Sequence, residues 1–229
     1  MKKLWKKFDE LSEKCYMNML GANKEFAVWD ETFDLLLKII NTGRETNPNY
    51  AKELVELDDY TDFVHGVGEW LEDYLDDLEI KHQDDKLQTV CKKLLDLFRW
   101  EEYKPSDIRF RIASSLAAQG KRQETLEFCE KWYENEEDDL TAATALIYAR
   151  VGMMDLKGAE DLVRKYISDD TICTEENYTI FIAASTLYKA NGNKKKEKQI
   201  RQAIKKHEEE IDSLYLELED EEIDFDLFG

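Results

Sequence analysis

Two prolines in 229 residues, Pro48 and Pro105, leave little to interrupt a helix, and each follows a polar stretch of the kind that separates helices. Long apolar runs are absent as well. No segment approaches the roughly 18 uninterrupted apolar residues of a membrane-spanning helix, and the lysines after Met1 are followed by Asp9, Glu10 and Glu13 where a signal peptide would need an apolar stretch. The expectation is a cytoplasmic chain with no membrane partner. Histidine is scarce, and His65, His82 and His207 stand in no metal-ligand or nucleophile–base spacing. The four cysteines, Cys15, Cys91, Cys129 and Cys173, form no close pair of the kind zinc sites use and read as core thiols in a reducing compartment. No catalytic residue, metal or cofactor is therefore expected. Positive charge is also in deficit: 52 Asp and Glu against 32 Lys and Arg give a formal charge of -20, a field that repels a phosphate backbone and argues against direct nucleic-acid binding.

What the chain does have is helical periodicity almost throughout. Leu4, Phe8, Leu11, Cys15 and Met19 form one apolar stripe over residues 3–20, and Phe26, Trp29, Phe33, Leu36, Leu37 and Ile40 another over 24–41, with Gly43 as its C-cap. Residues 50–57 begin a further amphipathic segment that continues or bends near Asp58-Asp59 before the stripe Phe63, Val67, Trp70, Leu71, Tyr74 and Leu78. The next helix is expected over 85–100. After Pro105, first helices near 107–119, 140–151 and 175–190 alternate with partners near 123–133, 156–167 and 194 onward. Four tryptophans fall on apolar stripes and read as core, while Trp100 and Tyr103 mark a junction. His65-Gly66-Val67-Gly68 lacks the preceding strand and third glycine of a phosphate-binding loop, so its glycines serve a bend or a close helix approach. Glu69, Glu72, Asp73 and Asp76 share one helix face and read as a solvated surface rather than a cation site.

Three times a small residue stands seven positions before a glycine with a tyrosine or leucine four before it: Ala113/Leu116/Gly120, Ala145/Tyr148/Gly152 and Ser185/Tyr188/Gly192. A small side chain where helices cross, a larger one a turn later and a glycine closing the helix are what a stacked helix-turn-helix unit needs. On these residues, positions 106–207 resemble tetratricopeptide-type repeats. The alanine that the family places about five after the glycine corresponds to Thr125 in the first unit, to Ala159 in the second if two residues are inserted, and to Glu197 in the third. The family's tryptophan falls at Arg109, Thr141 and Phe181, its closing proline is missing, and the glycines are 32 and 40 residues apart.

The resemblance implies an all-α fold of antiparallel helix pairs stacked as a right-handed superhelix, whose concave face, built by the first helices, binds peptide segments of other proteins. The chain then divides into an N-terminal helical block (1–103), repeats (104–207) and an acidic C-terminal helix with a hydrophobic tail (208–229). The expected function is a non-catalytic adaptor whose partner is another protein or peptide. Candidate groove residues are the first-helix cations Arg109, Arg111, Arg150 and Lys189, which suit an acidic peptide or a C-terminal carboxylate, although abundant nearby acids offer them intramolecular partners.

The end of the chain is the second informative region. A basic block from Lys194 to Lys206 gives way to an acidic stretch from Glu208 to Glu222, with Ile211, Leu214 and Leu218 continuing an apolar stripe. In the last residues Ile223, Phe225, Leu227 and Phe228 stand among acids. Asp226-Leu227-Phe228 is weakly similar to the short peptide by which many bacterial replication and repair proteins dock onto the sliding clamp. The alternative function is thus a docking peptide, Phe225, Asp226, Leu227 and Phe228, carried by a helical scaffold.

Overall fold

A computed structural model describes residues 1–22 and 27–226. The described residues form eleven α-helices and one 3-10 turn, with no strand. In order these are α1 Lys2–Met19, α2 Val28–Thr46, α3 Glu56–Asp59, α4 Val67–Ile80, α5 Asp84–Leu97, α6 Ser106–Ala118, α7 Arg122–Asn135, α8 Leu140–Gly152, α9 Leu156–Tyr166, the 3-10 turn Glu175–Asn177, α10 Tyr178–Ala190 and α11 Lys194–Asp226. The fold is all-helical, and sequential helices pack as neighbours. The chain divides into two compact units, Met1–Ser115 and Leu116–Gly229, with the division inside α6.

In the first unit, α1, α2 and α4 converge on an aromatic cluster. Trp29 stacks on Tyr74 at 5.9 Å and on Trp70 at 5.8 Å, and Phe8 meets Trp70 edge-on at 5.4 Å. All four side chains are fully buried, as their positions on the apolar stripes predict. Asp30 ties the helices together by accepting from Tyr74 Oη and Lys86 Nζ, each at 2.7 Å.

Three expectations fail here. Gly43 does not cap α2, which runs on to Thr46; the ring of Tyr50 lies where a side chain at residue 43 would stand. Residues 50–55 are not helical. Arg44 takes the carbonyls of Tyr50, Ala51 and Leu97, and the Glu56 carboxylate accepts from the amides of Lys52 and Glu53, so side chains occupy the backbone groups a helix would have paired. The helix expected to reach residue 100 ends at Leu97, and Trp100 adopts φ +58° with its indole N–H donating to the Leu95 carbonyl at 3.3 Å. The start expected for α2 near residue 24 lies outside the described residues.

The glycines at 66 and 68 do serve helix entry. Gly66, at φ +52°, precedes α4, and the buried Asp58 carboxylate accepts from the amides of Val67 (2.7 Å) and Gly68 (2.8 Å). An N-cap is thereby supplied from nine residues upstream.

In the second unit α8 is the centre, flanked by α7, α9 and α10, with Ala142, Ala143, Ala145 and Ala149 all buried. Small side chains let three helices approach one. Gly120 and Gly192 close α6 and α10 in the left-handed conformation, at φ +73° and +68°, and the following amides of Lys121 and Asn193 return to the carbonyls of Leu116 and Tyr188. Gly152 does not play this part. The left-handed residue after α8 is Met154, at φ +62°, with Asp155 N–H returning to Arg150 O. The equivalent turns therefore sit at 120, 154 and 192, spaced 34 and 38. Ala159 then falls five residues after its turn, as Thr125 does after Gly120, and both are buried. The small Ala145 is in turn nine before Met154 rather than seven, so in the middle unit the small-residue pattern and the turn are out of step.

Candidate functional site

The first-helix cations do not form one exposed set. Arg111, only 8% exposed, lies among three carboxylates, at 2.6 Å from Asp76, 2.9 Å from Asp107 and 3.2 Å from Glu79. Burial opposes the charge of its guanidinium, but hydrogen bonds and attraction from Asp107 and Asp76 outweigh it and hold the pKa above its ordinary value. This arginine joins α4 to α6 and has little left to offer a ligand. Arg150 is half-buried; it donates to Gly158 O at 3.0 Å and lies 3.7 Å from Glu130, fastening α8 to the start of α9. Both arginines therefore have partners within the chain, carboxylates for Arg111 and a carboxylate and a backbone carbonyl for Arg150. Arg109 is half-buried and Lys189 is exposed in the last turn of α10.

The tail candidates have a different fate. Helix α11 continues without a break through Phe225 to Asp226, so the basic block and the acidic stretch belong to one helix. Leu227 and Phe228 lie outside the described residues. The acidic face of α4 is partly consumed by Arg111 through Asp76 and Glu79, and among the described residues no group of His, Cys, Asp or Glu is arranged to hold a metal ion. No described helix is long and apolar enough to cross a membrane.

A surface of a different kind lies along the seam of α8 and α10. Thr179 Oγ1 lies 3.1 Å from Thr144 Oγ1, which donates to the Leu140 carbonyl at 2.8 Å, and Thr186 stands near the Tyr148 hydroxyl. Burial pushes the Tyr148 phenol up, and the Thr186 contact offsets part of that rise. Thr179, Thr186 and Lys189 are exposed, with Thr141, Tyr148 and Ile182 half-buried beside them. Neither α8 nor α10 contains a carboxylate, whereas α7 carries Glu124, Glu127, Glu130 and Glu134, and α9 carries Glu160 and Asp161. The signal was present in the sequence as two acid-free stretches in a chain of charge -20.

One further concavity in this unit, a cleft of about 480 Å³, has Phe181, Tyr188 and Ile200 as its floor. On its rim Arg164 and Lys196 share Glu160 Oε1, at 2.9 and 2.7 Å, so one carboxylate holds both cations. Comparison with protein-family models, with curated proteins and with solved structures finds no match to this chain.

Proposed function

We propose that the chain is a non-catalytic adaptor that binds a peptide or protein segment on the surface built by the first helices of its tetratricopeptide-like repeats, α8 and α10 foremost. The observation that carries this reading is the segregation of charge: in a chain with 52 carboxylates, two adjacent helices have none, and their seam offers hydroxyls and one exposed lysine. Such a surface accepts a neutral or acidic segment without the repulsion that the remainder of the chain imposes, and threonine and tyrosine hydroxyls serve a peptide backbone as both donors and acceptors. Arg111 and Arg150 act in this reading as internal fasteners, while Lys189 remains available to a ligand carboxylate. Four separate, buried, unpaired thiols suit a reducing compartment such as the cytoplasm.

The test is capture of binding proteins from native lysate with the full chain beside a Thr179→Glu/Thr186→Glu variant and a chain ending at Glu222. Both threonines are exposed, so the double variant should keep its helical circular dichroism. A partner held by the full chain and by the truncated chain, but lost from the double variant, is the expected result. A partner lost on truncation alone would transfer the function to the tail.

A further inference from the structure

The first unit carries an apolar groove of a different electrical character. A concavity of about 370 Å³ runs between α1 and the loop before α4, lined by Ser12, Glu13, Tyr16, Met17 and Val64, with the His65–Asp9 pair at one end. Val64 and His65 of that loop form its wall, and the loop exposes what a fold ordinarily hides: Val64 is 73% and its neighbour Phe63 65% exposed. Met17 in the groove, and Met19 and Leu20 where α1 ends, are exposed as well.

The loop is held firmly in this display. Asp62 and Phe63 both adopt left-handed backbone, at φ +50° and +59°, which costs a non-glycine residue on the order of 1 kcal/mol each. Surrounding bonds enforce it. Asp58 O accepts from Phe63 N–H at 2.9 Å, the Asp58 carboxylate caps α4, and the His65 ring stacks on Trp5 at 4.4 Å with its Nδ1 2.6 Å from Asp9 Oδ1. The Phe63 ring has little to pack on in return, so the strained backbone purchases exposure rather than core.

Among the described residues, the carboxylates at this apolar stripe outnumber the cations left without a partner. Asp9 and Glu13 line the groove, and Asp62 belongs to its wall loop. Burial, and behind it the Asp73 and Glu69 carboxylates of α4, drive the Tyr16 phenol above its ordinary pKa. On α1 the nearby Lys6 and Lys7 are occupied by Glu10 and Glu31, and Lys14 has its own partner.

We propose that this groove docks a cationic amphipathic segment of another protein, its apolar side chains entering beside Met17 and Val64 with Phe63 next to them, and its lysines or arginines meeting Glu13, Asp62 and the Asp9 oxygen that His65 leaves open. The preformed wall removes the ordering cost from the receptor side of binding. The surface lies entirely within the first unit, and it selects the opposite charge from the α8–α10 seam. An adaptor so built holds two partners of unlike character, and either surface stands if the other fails.

The experiment uses the full chain and a short fluorescein-labelled peptide of leucine and lysine at helical spacing, followed by anisotropy. A lysine–serine peptide of equal length and charge is the control. Phe63→Asn combined with Val64→Ser removes the apolar wall while giving residue 63 a side chain that tolerates left-handed backbone, so the fold is kept. Glu13→Lys reverses one rim charge. The expected result is saturable binding of the leucine–lysine peptide at one site, weakened on the order of tenfold to a hundredfold by the double variant and about tenfold by Glu13→Lys. Equal affinity for the control peptide, or indifference to both variants, would reduce the effect to general attraction by a chain of charge -20 and overturn the proposal. Light scattering that finds a dimer dissolved by Phe63→Asn/Val64→Ser would overturn it too, by making a second copy the occupant.

Discussion

At Gly43 a side-chain carbon would fall on the ring of Tyr50, closer than any real contact, although the residue lies within α2, where alanine is ordinarily preferred to glycine by about 1 kcal/mol. The clash should reverse that preference. Gly43→Ala is expected to lower stability by about 1–2 kcal/mol in urea titration, because Tyr50 is stacked on Tyr60 at 5.4 Å and its carbonyl is held by Arg44. With Tyr50→Ala already present, the same glycine substitution should stabilise, which isolates the ring as the cause. Arg111 is open to a similar test. Its three carboxylate partners are half-exposed or more, which screens part of the interaction, so Arg111→Met should cost about 1–3 kcal/mol through carboxylates left facing one another. Arg111→Lys should recover little of this, since a single ammonium cannot span three acceptors on two helices. Neither the glycine's role nor the arginine's was legible in the sequence, for both depend on residues brought close only by folding: Tyr50 across a loop, and Asp76 and Glu79 from another helix.

Among the elements, most boundaries followed from periodicity and punctuation, and the exceptions share a cause. Where side chains take the backbone partners, at residues 50–55, an amphipathic pattern does not become a helix; where a helix turn needs left-handed backbone, the chain does not always supply glycine. The turn after α8 is the clear case. Gly152 is the nearest glycine, yet Met154 carries the positive φ and is exposed, with nothing for its side chain to fill. Met154→Gly should therefore stabilise the protein by roughly 0.5–1 kcal/mol, the relief of backbone strain exceeding the added entropy of the unfolded chain. The midpoint of thermal unfolding would rise, and a fall would mean that Met154 makes a contact of value. The same turn bears on the irregular glycine spacing of 32 and 40: the left-handed turn residues stand 34 and then 38 apart, and Gly152 is a helix residue rather than a cap.

For the whole molecule, the distribution of polar and ionisable groups between surface and interior sets the response to pH. Burial pushes the Cys91 and Cys129 thiols up to about 12 and Cys173 to about 11, from an ordinary 9.0. The fold therefore holds these protons more tightly than the unfolded chain does. Their contribution to stability is fully present below pH 9.0 and is lost as the pH climbs through about 11 and then about 12. Urea midpoints should be flat with respect to these groups at neutral pH and decline above 9.0, and a thiol reagent at neutral pH should react slowly until the protein is unfolded. Rapid modification of the native protein would show that the helices open more readily than their packing implies.

Periodicity and two prolines were enough to show that this chain folds as packed helices, which apolar stripes enter the core, save Met19 and Phe63, which are exposed, and where most helices begin and end. Those properties are local: they arise from side-chain spacing along one helix and from residues that cannot continue it. Contacts between elements distant along the chain set which charges are paired inside the protein and which face outward. Arg111 and Arg150, Lys189, the α8–α10 hydroxyls and the Phe63–Val64 wall look alike as isolated polar or apolar letters, and they are told apart by neighbours distant along the chain. A residue's electrostatic and packing partners are a property of three-dimensional proximity, and that is where the candidate sites reside.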